Sequence, residues 1–259
     1  MKESLDLSGQ AVIVTGGGKG VGRGITQRFL EAGAEVVICG RSEPDEPIVS
    51  QGRSAHFVSA DVRELDDIAK VVDFTRDQFG RLDVLVNNAG GAPEADAATV
   101  SPRFSEAILR LNLMAPLNFA QKSNAVMQEQ ESGGSIINIS SVSALRPSPG
   151  TAAYGAAKAG LISLTMTLAV EWAPKVRINA VSAGMIRTEK SHLHYGDEEG
   201  IASVGSTVPL GRLGEPQDVG NACLYLASPM ASYVSGTNLL IHGGGEKPAF
   251  LDAARNRSE

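Results

Sequence analysis

The 259-residue sequence predicts an α/β fold: one doubly wound parallel sheet of about seven strands, with helices on both faces. Three observations carry this. Short unbroken apolar runs recur along the chain, as strands covered on both faces require. Between them, apolar residues repeat every three or four positions, the mark of one-faced helices. The first run opens into a glycine-rich turn, Thr15-Gly16-Gly17-Gly18-Lys19-Gly20-Val21-Gly22, and then into a helix.

Val12-Ile13-Val14 is the first strand, and Val21, Ile25 and Phe29 mark the helix after it, closed by Gly33. Val36-Val37-Ile38-Cys39 is the second strand. The polar segment 41–54, broken by Pro44 and Pro47, reads as a loop. His56-Phe57-Val58 forms the third strand and ends near Asp61 and Val62; Leu65, Ile68, Val72, Thr75 and Phe79 then define a helix. Val84-Leu85-Val86 runs into Asn87-Asn88-Ala89-Gly90-Gly91. Phe104, Ile108, Leu111, Ala115 and Phe119 predict one long helix carrying Asn112.

Ile136-Ile137-Asn138-Ile139 delivers Ser141 at its C-terminal end. A helix from about Tyr154 is expected to bury Leu161, Leu164, Leu168 and Trp172 and to stop at Pro174. Val176 to Val181 is the sixth strand. Residues 185–210 read as an irregular excursion long enough to be a substrate loop or lid. Pro216 suits the first turn of a helix burying Val219 and Leu226, and Leu239-Leu240-Ile241 is the seventh strand. No repeat or linker divides residues 1–259, so a single domain is expected. A tail at 246–259 docks on a neighbouring subunit or frays.

Composition limits the partners. At 42% hydrophobic and 20% charged residues the chain can bury a large core, and a net charge of −6 offers no basic face to nucleic acid. Cys39 and Cys223 lie inside apolar segments, which favours buried thiols and a reducing compartment. The N-terminal MKESLDLSGQ has no apolar signal core, and the uncharged stretch Ala159–Val170 is too short to span a bilayer. A cytoplasmic protein without membrane partners is expected.

Two features carry chemistry. A glycine turn between a buried strand and a helix presents backbone N–H groups at a helix N-terminus, a site for an anion such as a pyrophosphate. Tyr154 stands thirteen positions after Ser141, and Lys158 one helical turn after Tyr154. A nearby ammonium favours the phenolate, which makes acid–base work by tyrosine feasible, and Ser141 would hydrogen-bond an oxygen on which charge develops. Successive strand residues face opposite ways, so only one of Ser140 and Ser141 can meet the tyrosine. His192 and His194 have no third ligand at a telling spacing, and no metal site is expected.

Thr15-Gly16-x-x-x-Gly20-x-Gly22, Asn87-Asn88-Ala89-Gly90, Ser141, Tyr154-x-x-x-Lys158 and Asn179 stand in an order that resembles the short-chain dehydrogenase/reductase family over roughly residues 7–244. Within it the chain is similar to 3-oxoacyl-carrier-protein reductases. The resemblance implies a Rossmann-type fold and an oxidoreductase acting on a small carbonyl or alcohol substrate. Tyr154 is then the acid or base, Lys158 lowers its pKa and holds the nicotinamide ribose, and Ser141 positions the substrate oxygen. Asn112 bends its helix and holds a relay water; its other reading is a capping or packing residue. The cofactor is expected along Thr15, Gly16, Gly18, Lys19, Gly20, Val21, Gly22, Arg41, Asp61, Val62, Asn88, Ala89, Gly90, Gly184, Ile186 and Thr188, besides Tyr154 and Lys158.

Relatives that select NAD close the second strand with an acid; here Cys39-Gly40-Arg41-Ser42 stands there, and Arg41 with Lys19 would hold a 2′-phosphate. NADP(H) is therefore expected, NAD(H) being the alternative because Glu43, Asp45 and Glu46 follow. Ala183-Gly184 replaces the usual Pro-Gly, and His242 an aspartate near a subunit contact. Substrate-pocket walls are expected at 91–94, Val142, Ser143, Arg146, Met185 and the 185–210 segment. A homotetramer is expected through the two long helices and the seventh strand. The competing reading is a catalytically silent cofactor-binding regulator.

Overall fold

The computed structural model describes residues 5–248, 250 and 251. In chain order its elements are β1 (Ala11–Thr15), α1 (Gly20–Glu31), β2 (Glu35–Gly40), β3 (Val49–Ser50), β4 (Arg53–Ser54), β5 (His56–Ser59), α2 (Leu65–Phe79) and β6 (Val84–Asn87). There follow α3 (Pro102–Leu109), a π turn (Arg110–Met114), α4 (Ala115–Glu129), β7 (Gly134–Ser141), a 3-10 turn (Val142–Ala144), α5 (Ala152–Glu171) and β8 (Val176–Ala183). The chain continues with α6 (His192–Tyr195), α7 (Glu198–Thr207), α8 (Pro216–Ala227), a second 3-10 turn (Pro229–Ala231) and β9 (Asn238–Ile241).

The main sheet has the order β5-β2-β1-β6-β7-β8-β9, and every neighbouring pair is parallel. Alternate residues of each strand feed opposite faces. Val12, Val14, Val36, Ile38, Val84 and Val86 pack with Ile25, Phe29, Val219, Cys223 and Leu226 of α1 and α8. Ile13, Val37, Leu85, Ile136 and Ile178 pack with Ile68, Val72, Phe119 and Leu168 of α2, α4 and α5 on the other side. Helix ends follow their local sequence: Ser101 accepts from Phe104 N ahead of Pro102, and Glu215 with Asp218 forms a capping box around Pro216.

Two expected loops are ordered instead. The 41–54 segment contains the β3–β4 hairpin, turned at Gln51 (φ 51°) and Gly52 (φ 74°). The 185–210 excursion contains α6 and α7, the latter capped by Asp197, whose carboxylate accepts from Gly200 N at 3.0 Å. The helix expected from about Tyr154 begins at Ala152. It buries Leu161 and Leu168, while Leu164 and Trp172 are only half-buried. By length and composition α5 would suit a membrane span; here its inner face packs on β7 and β8. Both cysteines are buried free thiols, and burial pushes Cys39 up to about 12 and Cys223 upward as well. Of the expected tail, residues 246–248, 250 and 251 are described, and the rest lies outside the described residues.

One buried carboxylate ties the sheet's middle together. Asp83, 7% exposed, accepts from Ala11 N at 2.9 Å and from both Nε and Nη2 of Arg81 at 2.7 Å. Removing it orphans a buried N–H and a half-buried guanidinium. Asp83→Ala is expected to cost about 2–4 kcal/mol in denaturant unfolding, and a loss under about 0.5 kcal/mol would contradict this role.

Candidate active site

β1 is flanked by β2 on one side and β6 on the other, so the chain's direction of winding reverses there. Above the C-terminal ends of these strands and of β7 and β8 opens a cleft of about 1010 Å³. Its lining joins the glycine turn to the tyrosine helix. Gly16, Gly18, Lys19, Gly20, Val21, Gly22 and Arg41 form one end. Asn88, Ala89, Gly90, Gly184, Ile186 and Thr188 form the middle, beside Ser141, Tyr154 and Lys158.

Close approach explains the glycines. A Cβ on Gly22 would lie 2.2 Å from Gly16 O, and one on Gly90 would lie 2.6 Å from Asn112 Oδ1 and 3.2 Å from Lys158 Nζ. Gly184, which follows the unusual Ala183, lies against His242: a Cβ there would be 2.7 Å from His242 Cβ. The segment after β8 is pinned by Arg187 N to Gly214 O at 2.7 Å and Thr188 N to Ser191 Oγ at 2.9 Å. Four expected cofactor or catalytic positions lie behind the lining. Thr15 is buried and accepts from Asn88 N and Ala89 N, each at 2.9 Å, joining the ends of β1 and β6. Asp61 is held by the Arg63 guanidinium, which with other hydrogen bonds keeps its carboxyl down to about 2; Val62 is buried beside it. Asn179, part of the sequence pattern but not one of these four, serves the fold, donating to Val234 O and accepting from Thr237 N just ahead of β9.

Asn112 is the fourth. The long helix expected through it is α3 and α4 joined by the π turn. Pro116 has no N–H to offer the Asn112 carbonyl four residues back, and the helix widens at this point. The fully buried Asn112 amide donates to Ile108 O and Gly91 O and accepts from Gly91 N, all within 2.9–3.0 Å. It fixes the loop after β6 against the helix.

Ser141 Oγ accepts from Ser143 N at 3.2 Å, and its hydroxyl acts on the Tyr154 phenol, favouring the ionised form. Ser140 turns away and donates to the Lys158 carbonyl at 3.1 Å. Lys158 is buried at 3% exposure; its Nζ donates to Ile139 O at 2.8 Å and lies 5.7 Å from the Tyr154 ring centroid. Burial lowers this ammonium from 10.5 to about 8. The phenol is raised above its ordinary 10 by burial, with the Ser141 bond acting in the opposite direction. The lowering of the phenol by Lys158 that the spacing suggested is not seen here: desolvation dominates, and the opposing influence comes from Ser141.

Gly91, Ala92, Glu94, Val142, Ser143, Arg146 and Met185 line the substrate end, as the sequence suggested. Ser148, Thr151 and Leu193 join them, and Ser42, Pro44 and Phe57 join the dinucleotide end. Of these six, only Leu193 fell within an expected wall, the 185–210 segment; the other five were not assigned, although Thr151 stood just before the tyrosine helix as a helix-start residue. His192 heads α6, and no group of three potential ligands for a metal occurs among the described residues.

A glycine-rich strand-to-helix turn and the Ser141, Tyr154 and Lys158 side chains share one cleft at the C-terminal edge of a Rossmann-type sheet. Residues 16–246 match the family described as "Enoyl-(Acyl carrier protein) reductase". The chain is 38% identical to L-rhamnose 1-dehydrogenase (NAD(P)(+)) of Azotobacter vinelandii, covering 92% of this chain and 97% of that one. It is 36% identical to 3alpha-hydroxysteroid dehydrogenase of Mediterraneibacter gnavus at the same coverage. The ligand-free structure of Thermoplasma acidophilum aldohexose dehydrogenase superposes with a TM-score of 0.85 at 32% identity over 92% of this chain and 94% of that one. The protein belongs to the short-chain dehydrogenase/reductase family, whose dehydrogenases act on CH–OH groups with NAD(P)(H).

Proposed function

We infer that the protein transfers a hydride between NADP(H) and a small carbonyl or secondary alcohol, with Tyr154 as acid–base group. The observation that carries this is the meeting of Ser141, Tyr154 and Lys158 in one cleft with the glycine turn. The residues suit a dinucleotide: close backbone at Gly16 and Gly22, and basic Lys19 and Arg41 on the lining. When bound, the nicotinamide supplies or accepts the hydride. The chain handles the proton. Tyr154, protonated at neutral pH, donates to the carbonyl oxygen as that oxygen gains charge, and Ser141 steadies the same oxygen by a hydrogen bond. Lys158, as the ammonium, offsets the negative charge left on the phenol. Asn112 holds Gly90 and Gly91 in place beside it.

The preference for NADP(H) rests on Arg41 and Lys19, and on two of the surrounding acids having other basic partners. Asp61 is bound by Arg63, and Glu46 approaches Arg23 at 4.0 Å. Arg41→Ala is expected to lower kcat/KM for NADPH by about 10- to 100-fold while sparing NADH, the size of a charge-assisted hydrogen bond. Equal effects on both cofactors would shift the reading to NAD(H).

Relatives are named for a sugar, a steroid and aldohexoses. The serines and threonine at the substrate end favour a small polar substrate over a flat polycycle. A homotetramer is supported by bare apolar side chains on α5 and β9: Met166, Val170 and Leu240 are 52%, 80% and 42% exposed. A monomer mass in light scattering would refute the assembly. The reaction is tested by following loss of reduced nicotinamide against ketones, aldehydes, sugars and 3-oxoacyl thioesters. Absence of turnover across that panel, in both directions, would sink the hydride reading.

A further inference from the structure

The substrate end of the cleft carries a charged pair that the hydride chemistry does not use. Arg146 lines the cleft, and its backbone N–H is anchored to Val142 O at 3.1 Å. Its guanidinium donates to Pro147 O at 2.9 Å and to the carboxylate of Glu246, a hundred residues further on. Tyr195 of α6 senses both charges. Beside the arginine, Thr151 Oγ1 donates to Ser148 Oγ at 2.9 Å, and Ser143 Oγ to the same atom at 3.2 Å; all three residues line the cleft.

The pair adds little to the fold, because its side chains are 37% and 40% exposed and such bridges are worth about 0–1 kcal/mol. Glu246 also follows Gly243, Gly244 and Gly245, which have φ of 64°, 95° and 88°. The glycine turn is held by Gly245 N to His242 O at 3.0 Å, and the partly exposed Glu246 side chain beyond it can leave Arg146 by changing rotamer. A guanidinium has five donors in a planar fork, so one carboxylate can be exchanged for another in bidentate fashion.

We propose that Arg146 binds the carboxylate of the substrate, that Glu246 is the internal carboxylate it releases, and that the substrate is a small polyhydroxylated acid met by Ser143, Ser148 and Thr151. The choice of reacting carbon rests on the hydride reading; the binding does not.

Thermal shift with NADP⁺ present separates the two. The probes are gluconate, galactonate and mannonate against the corresponding aldonamides. In Tyr154→Phe, where no turnover intervenes, the acids are expected to raise Tm and the neutral amides to raise it less. Adding Arg146→Gln should make acid and amide equal, and adding Glu246→Gln should lower the acid concentration needed by about three- to tenfold. In the active enzyme Arg146→Gln should cut kcat/KM for an accepted acid about 10- to 100-fold and leave the amide unchanged. Equal shifts by acid and amide in Tyr154→Phe, or no shift by any acid, overturns the proposal even if simple ketones are reduced. An acid-selective shift that vanishes with Arg146→Gln supports it even if no substrate turns over, and in that case only the hydride reading falls.

Discussion

Tyr154→Phe is expected to lower kcat by about 10²- to 10⁴-fold, the contribution of a positioned proton donor, with the Kd for NADP(H) changed by less than about twofold. The variant keeps the ring and its place in the first turn of α5, and Ser141 keeps its bond from Ser143 N. Cofactor affinity stays because the substitution leaves the glycine turn, Arg41 and Lys158 unchanged in the cleft lining. The measurement is steady-state turnover beside a fluorescence titration of the reduced cofactor. Undiminished turnover would remove Tyr154 from the chemistry. If the parent protein binds NADP(H), turns nothing over, and Tyr154→Phe leaves its binding readout unaltered, the regulator reading takes over.

Lys158→Met is expected to abolish most turnover and to change how stability depends on pH. In the folded protein the ammonium titrates near 8, against 10.5 for an ordinary lysine. Between those values the unfolded chain binds the extra proton, so wild-type stability rises with pH through this window. The cost of burying the charge is fully present below about pH 8 and is gone above about 10.5. It amounts to roughly 3 kcal/mol at about 1.4 kcal/mol per pKa unit, offset in part by the bond to Ile139 O. Denaturant unfolding at pH 7 and pH 10 should therefore show wild type gaining about 2–3 kcal/mol on Lys158→Met between the two. A constant difference would mean that the amine is not desolvated. In the same way, reductive kcat/KM, which reports free-enzyme groups, should fall as pH rises through about 8. A profile flat to pH 10 would contradict this.

Much of the architecture could be read from residue order alone. Val12, Ile13 and Val14 feed both faces of a sheet, and that pattern admits only a covered parallel strand. The i,i+4 rule put Lys158 on the Tyr154 face, and strand alternation separated Ser140 from Ser141. What spacing does not carry is desolvation. Nothing in Tyr-x-x-x-Lys reveals that the amine points at Ile139 O or that burial raises the phenol. α7 was obscured because Ile201 and Gly205 are its buried residues, too few for a periodic stripe. Its start was nevertheless written in Asp197-Glu198-Glu199, a cap followed by acids in the first turn. The π turn was signalled by Pro116 lying four residues beyond Asn112, and Asp61 by its neighbour Arg63 two positions on.

The bond from Ala11 N to Asp83 spans 72 residues, and β6, the second neighbour of β1, comes still later. On a translating ribosome β1 emerges long before the strand that covers its other side. At about 5–20 residues per second, its unpaired edge stands open for roughly 4–14 seconds. During that interval the Ala11–Thr15 backbone can zip onto a second nascent chain as readily as onto its own. Yield from expression should accordingly depend on translation speed across the codons for 16–86, and on trigger-type chaperones that shield apolar strands, even though the finished enzyme exposes none of β1.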